Sequence, residues 1–241
     1  MSGHSKWAQI KHKKAVTDTK KGALFSKLVR EITLAAKIGS PQPEVNPQLR
    51  QAIEKGRALG LPKLNIERAV ERASGKESEA LQEFLYEASA PGGAMLLVEG
   101  ITDNKNRTLA EVKHLLLDYG AKLAEPGSLT WNFDRVGLLE ITLEDNPSLK
   151  TDDVEFIIIE SGAENFKKIN QTVFVETALE KRDEVRKSLE ARGVKVGESS
   201  YDYHPRTVLV LDGAEKAALE VLLGKLSELT DVHEVYTNLS E

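Results

Sequence analysis

The 241-residue chain contains no cysteine. That excludes disulfides, thiolate metal sites and cysteine nucleophiles, and it suits a reducing compartment. No apolar run approaches the roughly 20 residues needed to cross a bilayer. The first residues lack the apolar centre of a secretory signal, and they are rich in lysine rather than in the arginine of a transit peptide. The expectation is a cytoplasmic protein that does not engage membranes. Catalytic signatures are missing as well: there is no Walker loop, no G-x-G-x-x-G after a strand and no G-x-S-x-G. The five histidines, His4, His12, His114, His204 and His233, are scattered, and none has a second ligand one helical turn away. Asp152 and Asp153 are adjacent, so on a helix they do not face each other; they suit the positive end of a helix dipole. The chain is therefore expected to be no enzyme, to need no cofactor and to hold no metal.

What the chain does have is an uneven distribution of charge. Through residue 37, nine cations (Lys6, Lys11, Lys13, Lys14, Lys20, Lys21, Lys27, Arg30 and Lys37) stand against Asp18 and Glu31, a local charge of +7. The whole chain is −5, so the remainder carries −12. A basic arm on an acidic body points to a polyanion as the partner of the arm, and leaves the body to protein partners or self-association. Lys6, Lys13, Lys20 and Lys27 recur every seven residues, close to two helical turns, so they would form one basic stripe unless Gly22 breaks the helix. Trp7 and His12 lie inside the cluster, where a ring can stack on a base and an imidazole can meet a phosphate. The candidate nucleic-acid-binding residues are thus Lys6, Trp7, Lys11, His12, Lys13, Lys14, Lys20, Lys21, Lys27 and Arg30.

Three short helices are expected after the arm: one ending at Gly39-Ser40-Pro41, one capped by Asn46 with Pro47 at its first position, and one starting after Leu61-Pro62. A polar linker follows at 75–78. From residue 81 the hydrophobic period changes to two. Strands are expected at 81–88 and 94–101 around the turn Pro91-Gly92-Gly93, and another at 129–133. Between them lies a polar loop from Thr102 to Arg107 and then a helix opened by a capping box of Thr108 and Glu111, with Leu109, Val112, Leu116 and Tyr119 on its buried face. Residues 137–196 follow the order β-α-β-β-α-β of a ferredoxin-like unit, with a second capping box at Thr177 and Glu180 and a last strand at 194–196. Strands at 199–203 and 207–211, a helix capped by Asp212 and a strand at 232–239 complete the chain. The fold class is α+β and multidomain: a basic helical domain (1–78), a discontinuous α/β domain (81–134 plus 204–241) and a ferredoxin-like α/β domain inserted into it (135–203).

Outside the arm, the loop TDNKNRT is the most unusual polar stretch. Asp103, Asn104, Asn106 and Arg107 read equally as a contact loop for a ligand or nucleic acid and as turn chemistry before a helix.

The stretches GHSKWAQIKHKK, FSKLVREI, NPQLRQAI, Pro62–Ala69, YEASAPGG, TDNKNRT and FDRVG occur in order along the chain. Together they give it a resemblance to the YebC/PmpR family, which comprises probable transcriptional regulators and a mitochondrial translational activator of cytochrome c oxidase. The likeness is weaker after residue 145. The chain departs from the family pattern at IGSPQPEVN and at Leu64, departures expected to touch only the inter-helix loops. The resemblance implies a helical N-terminal domain with two α/β domains, and DNA binding that regulates transcription. Other members look like translation factors at the ribosome, so ribosomal or messenger RNA is the alternative target of the same arm. No recognition helix and no aromatic pair of the RNA-recognition type separates DNA from RNA.

Overall fold

A computed structural model describes residues 18–73, 75, 80–147 and 151–240. The first helix, α1 (Asp18–Ile38), runs unbroken through Gly22, so the expected interruption does not occur. Its apolar stripe, Leu28, Ile32 and Ala36, packs against α2 (Pro47–Ala58) and α3 (Lys63–Arg72) in a core completed by Leu49, Ile53, Leu61, Ile66 and Ala69. Asn46 fixes the α1–α2 connection. Its side chain accepts from the Leu49 N–H at 3.1 Å and donates to the carbonyls of Ala35 and Ser40. One side chain thereby caps the start of α2 and ties down the end of α1.

Two four-stranded antiparallel sheets follow. The first has the order β3-β1-β2-β8, from β1 (Gln82–Ala90), β2 (Ala94–Thr102), β3 (Lys122–Leu123) and β8 (Val232–Thr237). Helices α4 (Lys105–Asp118) and α7 (Gly213–Glu228) cover one of its faces. Val112 and Leu116 of α4 and Leu219, Leu222, Leu223 and Leu226 of α7 share a core with Phe84, Ala88, Leu96, Val98 and Val235. On the other face, Leu34 of α1 meets Leu81 and Ile101. Each such buried side chain contributes about 1.5–3 kcal/mol. The β1–β2 turn is a 3₁₀ segment, Pro91–Gly93, that needs glycine because Gly92 has φ +75° and Gly93 φ +87°.

The second sheet has the order β5-β6-β4-β7, from β4 (Phe133–Thr142), β5 (Asn165–Ile169), β6 (Thr172–Ala178) and β7 (Ser199–Pro205), with α5 (Thr151–Glu160) after β4 and α6 (Arg182–Ala191) after β6. Its core joins Leu139, Ile141, Val173 and Val175 to Val154, Ile158, Val185 and Leu189. The order β-α-β-β-α-β is present, but its last strand is 199–205. Residues 194–196 form no strand, although Val194 and Val196 are buried in the core.

The chain forms two compact units, Phe133–His204 and, among the described residues, 18–132 with 205–240. The helical segment and the first sheet thus share one unit.

Several sequence expectations are corrected. Helix α4 begins at Lys105, with Asn104 as its cap. Thr108 is buried inside the helix and opens no capping box, while Leu109 is exposed. Thr177 does not cap α6: a 3₁₀ turn, Leu179–Lys181, intervenes, and the Thr177 hydroxyl donates to the Ala178 carbonyl. Asp212 stands at the N-cap of α7 without a side-chain cap bond. Residues 207–211 make only an isolated bridge, Leu209 to Leu239. Residues 129–132 are not a strand but a turn and a 3₁₀ segment, Thr130–Asn132, that leads into β4 at Phe133.

Candidate functional site

The candidate arm falls into two parts. Lys6, Trp7, Lys11, His12, Lys13 and Lys14 lie outside the described residues. Lys20 lies in the first turn of α1, and Lys21 follows it, exposed. From Lys27 onward the cations face the unit's own sheet domain. Lys27 Nζ donates to the Ser227 carbonyl at 2.6 Å, Lys37 Nζ to the Leu81 carbonyl at 3.0 Å, and Arg30 pairs with the Asp231 carboxylate.

Asp231 is where this packing converges. It is 3% exposed. One carboxylate oxygen accepts from Arg30; the other accepts from the Arg107 guanidinium at 2.7 Å, from the Thr102 hydroxyl at 3.0 Å and from the Thr108 hydroxyl. Its backbone carbonyl accepts the Ile101 N–H at 3.0 Å. Gly100 makes that approach possible: any Cβ there would run into the Asp231 carbonyl, and the β2–β8 register shifts between Glu99 and Gly100. Burial alone would raise the Asp231 pKa. The hydroxyl of Thr108, the two guanidinium groups and the hydroxyl of Thr102 outweigh it and hold the carboxyl at about 2.

The TDNKNRT segment supplies the other half of this arrangement. The Asn104 side chain accepts from the Arg107 N–H at 3.1 Å, and its own N–H donates to the Thr102 hydroxyl. The first helical turn so formed aims Arg107 at Asp103 (2.8 Å) and at Asp231. Asp103, Asn104, Asn106 and Arg107 are exposed at the rim. With Glu111 at 3.9 Å, Arg107 has three carboxylates of its own unit within reach, so bridging accounts for it without a ligand.

His233, next to this cluster on β8, has a buried Nε2 with no hydrogen-bond partner. Burial, with the charges of Lys55, Lys27 and Arg30, pushes its pKa down to about 3, so it is neutral in the fold. In the other unit His204 lies 3.6 Å from Asp202 and 3.7 Å from Glu176. Burial pushes its pKa down, but these carboxylates prevail and raise it. Neither Asp231 nor His233 was marked by sequence pattern. Both follow a helix in the ordinary-looking run LTDVHEV, and only tertiary packing gives Asp231 its partners and buries the His233 ring.

A cleft of about 200 Å³, lined by Ala90, Pro91, Tyr119, Ala214, Glu215 and Ala218, offers one carboxylate and one phenol, with no nucleophile beside a base. Among the described residues no group of three His, Asp or Glu could hold a metal ion, and no helix is long and apolar enough to cross a membrane.

Comparison with known proteins now places the chain. Residues 5–76 match the TACO1/YebC protein N-terminal domain, and residues 81–239 match the TACO1/YebC second and third domain. The chain belongs to the TACO1/YebC family. It is 42% identical over 239 residues to a probable transcriptional regulatory protein of Thermotoga maritima, covering 99% of this chain and 93% of that one. It is 40% identical over 240 residues to one of Thermoanaerobacter pseudethanolicus, covering 99% and 97%. Among solved structures, a conserved hypothetical protein of Aquifex aeolicus superposes with a TM-score of 0.86 at 37% identity, over 98% of this chain and 96% of that one. The helical N-terminal region and the two α/β domains described above are thus those of the TACO1/YebC family.

Proposed function

We propose that this TACO1/YebC protein is a non-catalytic, cytoplasmic regulator of transcription that binds DNA through the lysines from Lys6 to Lys21. The observation that carries the reading is the division of the basic stretch. Lys27, Arg30 and Lys37 are engaged by the protein's own sheet domain. The six lysines before them, against the single Asp18, give the first 21 residues a charge of +5 on a chain of −5. A polyanion is the partner such a segment suits. The printed names of the relatives, probable transcriptional regulatory proteins, support DNA. Trp7, set among the lysines, favours a second reading in which the same segment lies on unpaired RNA of the ribosome or a messenger. The acidic body is left to protein partners.

Crosslinking in cells, with sequencing of both the bound DNA and the bound RNA, tests this. The DNA reading expects DNA enriched over RNA, with the enrichment lost in a Lys13→Ala/Lys14→Ala chain. RNA in excess would replace it with the second reading, and recovery of neither would refute both.

A further inference from the structure

The two helices on the second sheet differ in their outer faces. Both feed the core beneath them, α5 with Val154 and Ile158, α6 with Val185 and Leu189. The rest of α6 is built for water: Asp183, Glu184, Lys187 and Glu190 are exposed, as expected of a helix with a single apolar side. Helix α5 is built otherwise. Phe156 is 61% exposed and Ile159 is 63% exposed. Three residues apart, they are neighbours on one helical face. A helix with apolar residues on both sides suits an interior, yet only the side of Val154 and Ile158 is covered within this unit. Single exposed apolar residues are ordinary, whereas an adjacent large pair framed by charge marks a contact surface.

The charge around the pair is of one sign. Asp153 lies three residues before Phe156, Glu155 four before Ile159 and Glu160 four after Phe156, so each borders the pair on the helix surface. The ten residues of α5 include four acids and no lysine or arginine. The cation that reaches this rim is Arg192, 3.9 Å from Glu160. Such a rim repels phosphate, so it selects against nucleic acid and against an anionic membrane surface. It also selects against the same face of a second copy, which would bring acids onto acids. A basic segment with an apolar stripe is complementary to it in both respects.

We propose that the outer face of α5 is a docking surface for a basic amphipathic segment of a partner protein, whose apolar stripe covers Phe156 and Ile159 while its lysines or arginines meet Asp153 and Glu155. The proposal is independent of the nucleic-acid reading and gives the acidic body a defined contact.

The probe is a labelled amphipathic peptide of leucine and lysine, with its leucine–glutamate counterpart as control, titrated by anisotropy into the full chain. The lysine peptide should bind and the glutamate peptide should not. Phe156→Ser and Ile159→Ser should each weaken binding roughly tenfold or more at an unchanged or higher melting temperature. Asp153→Asn/Glu155→Gln should weaken it and flatten its salt dependence, whereas Glu180→Gln/Glu184→Gln, an equal loss of charge at the start of α6, should leave it unchanged. Equal losses in the two charge variants would reduce the effect to general attraction and overturn the proposal. So would binding that survives Phe156→Ser, or no binding at all. A concentration-dependent dimer in sedimentation that Phe156→Ser disperses would overturn it in favour of a second copy. Each of these results leaves the nucleic-acid reading of the arm standing.

Discussion

The two parts of the basic stretch carry the same kind of side chain and do different things. Lys27, Arg30 and Lys37 spend their charge on Ser227, Asp231 and Leu81, inside the unit. The lysines from Lys6 to Lys21 precede that anchorage, and the reading above gives their charge to phosphates. Seven-residue spacing and net charge are common to both parts, so neither separates binding cations from structural ones. The partner does: a cation facing a buried carboxylate acts on stability, whereas one facing a nucleic acid acts on affinity and its salt dependence.

The sharpest way to break the comparison is to remove the carboxylate. Asp231→Ala strands Arg30 and leaves the Thr102 and Thr108 hydroxyls without their acceptor, and it should lower unfolding stability by about 3–5 kcal/mol. Nucleic-acid affinity and its salt slope, measured below the melting range, should not change. A smaller effect is expected on acidification. His233 is neutral in the fold, with a pKa of about 3, whereas the unfolded chain takes up the proton near pH 6.5. The stability gained from keeping it neutral is therefore full above pH 6.5 and is lost toward pH 3, at about 1.4 kcal/mol per pH unit. Denaturant melts from pH 7 to pH 5 should show this slope in the wild type and a flatter one in His233→Phe. The Asp231 contribution, about 2 kcal/mol by the same linkage, is present above pH 4 and disappears only as pH falls toward its folded pKa of about 2. Smallest is Arg107→Ala. The side chain is 43% exposed and solvent screens it, so thermal stability should drop by about 1 kcal/mol or less. Affinity for duplex DNA should be unchanged, whereas a contact residue would lose affinity instead.

The sequence made the three α1–α3 helices, the β1–β2 hairpin and the β-α-β-β-α-β order readable, because each rests on local signals: Asn46-Pro47, Pro91-Gly92-Gly93 and a change of hydrophobic period. It misled where a distant group redirected the backbone. Residues 129–133 alternate like a strand, but Glu87 takes the N–H groups of Leu129 and Thr130, and the chain turns there before β4 begins at Phe133. Thr108 looked like a cap because it precedes an acidic residue by three. In the fold Asn104 caps the helix and Thr108 faces Asp231. Of the candidate site, the arm was legible as composition. The inward turn of Lys27 and Arg30 was not, since their partners lie some 200 residues later in the chain.

The division between binding and anchoring cations is tested most directly by the dependence of affinity on salt. Phosphate contacts release condensed counterions, so log K falls with log salt by about 0.9 per contact on duplex DNA and about 0.7 on single strands. If Lys6, Lys13, Lys14, Lys20 and Lys21 each meet a phosphate, the duplex slope is on the order of −4. Each Lys→Ala should reduce it by close to one unit at unchanged melting temperature, and Trp7→Ala should leave it unaltered. Lys27→Ala should lower the melting temperature and leave the slope alone. A slope near zero, or one that falls with Lys27 and not with Lys13, would contradict the account.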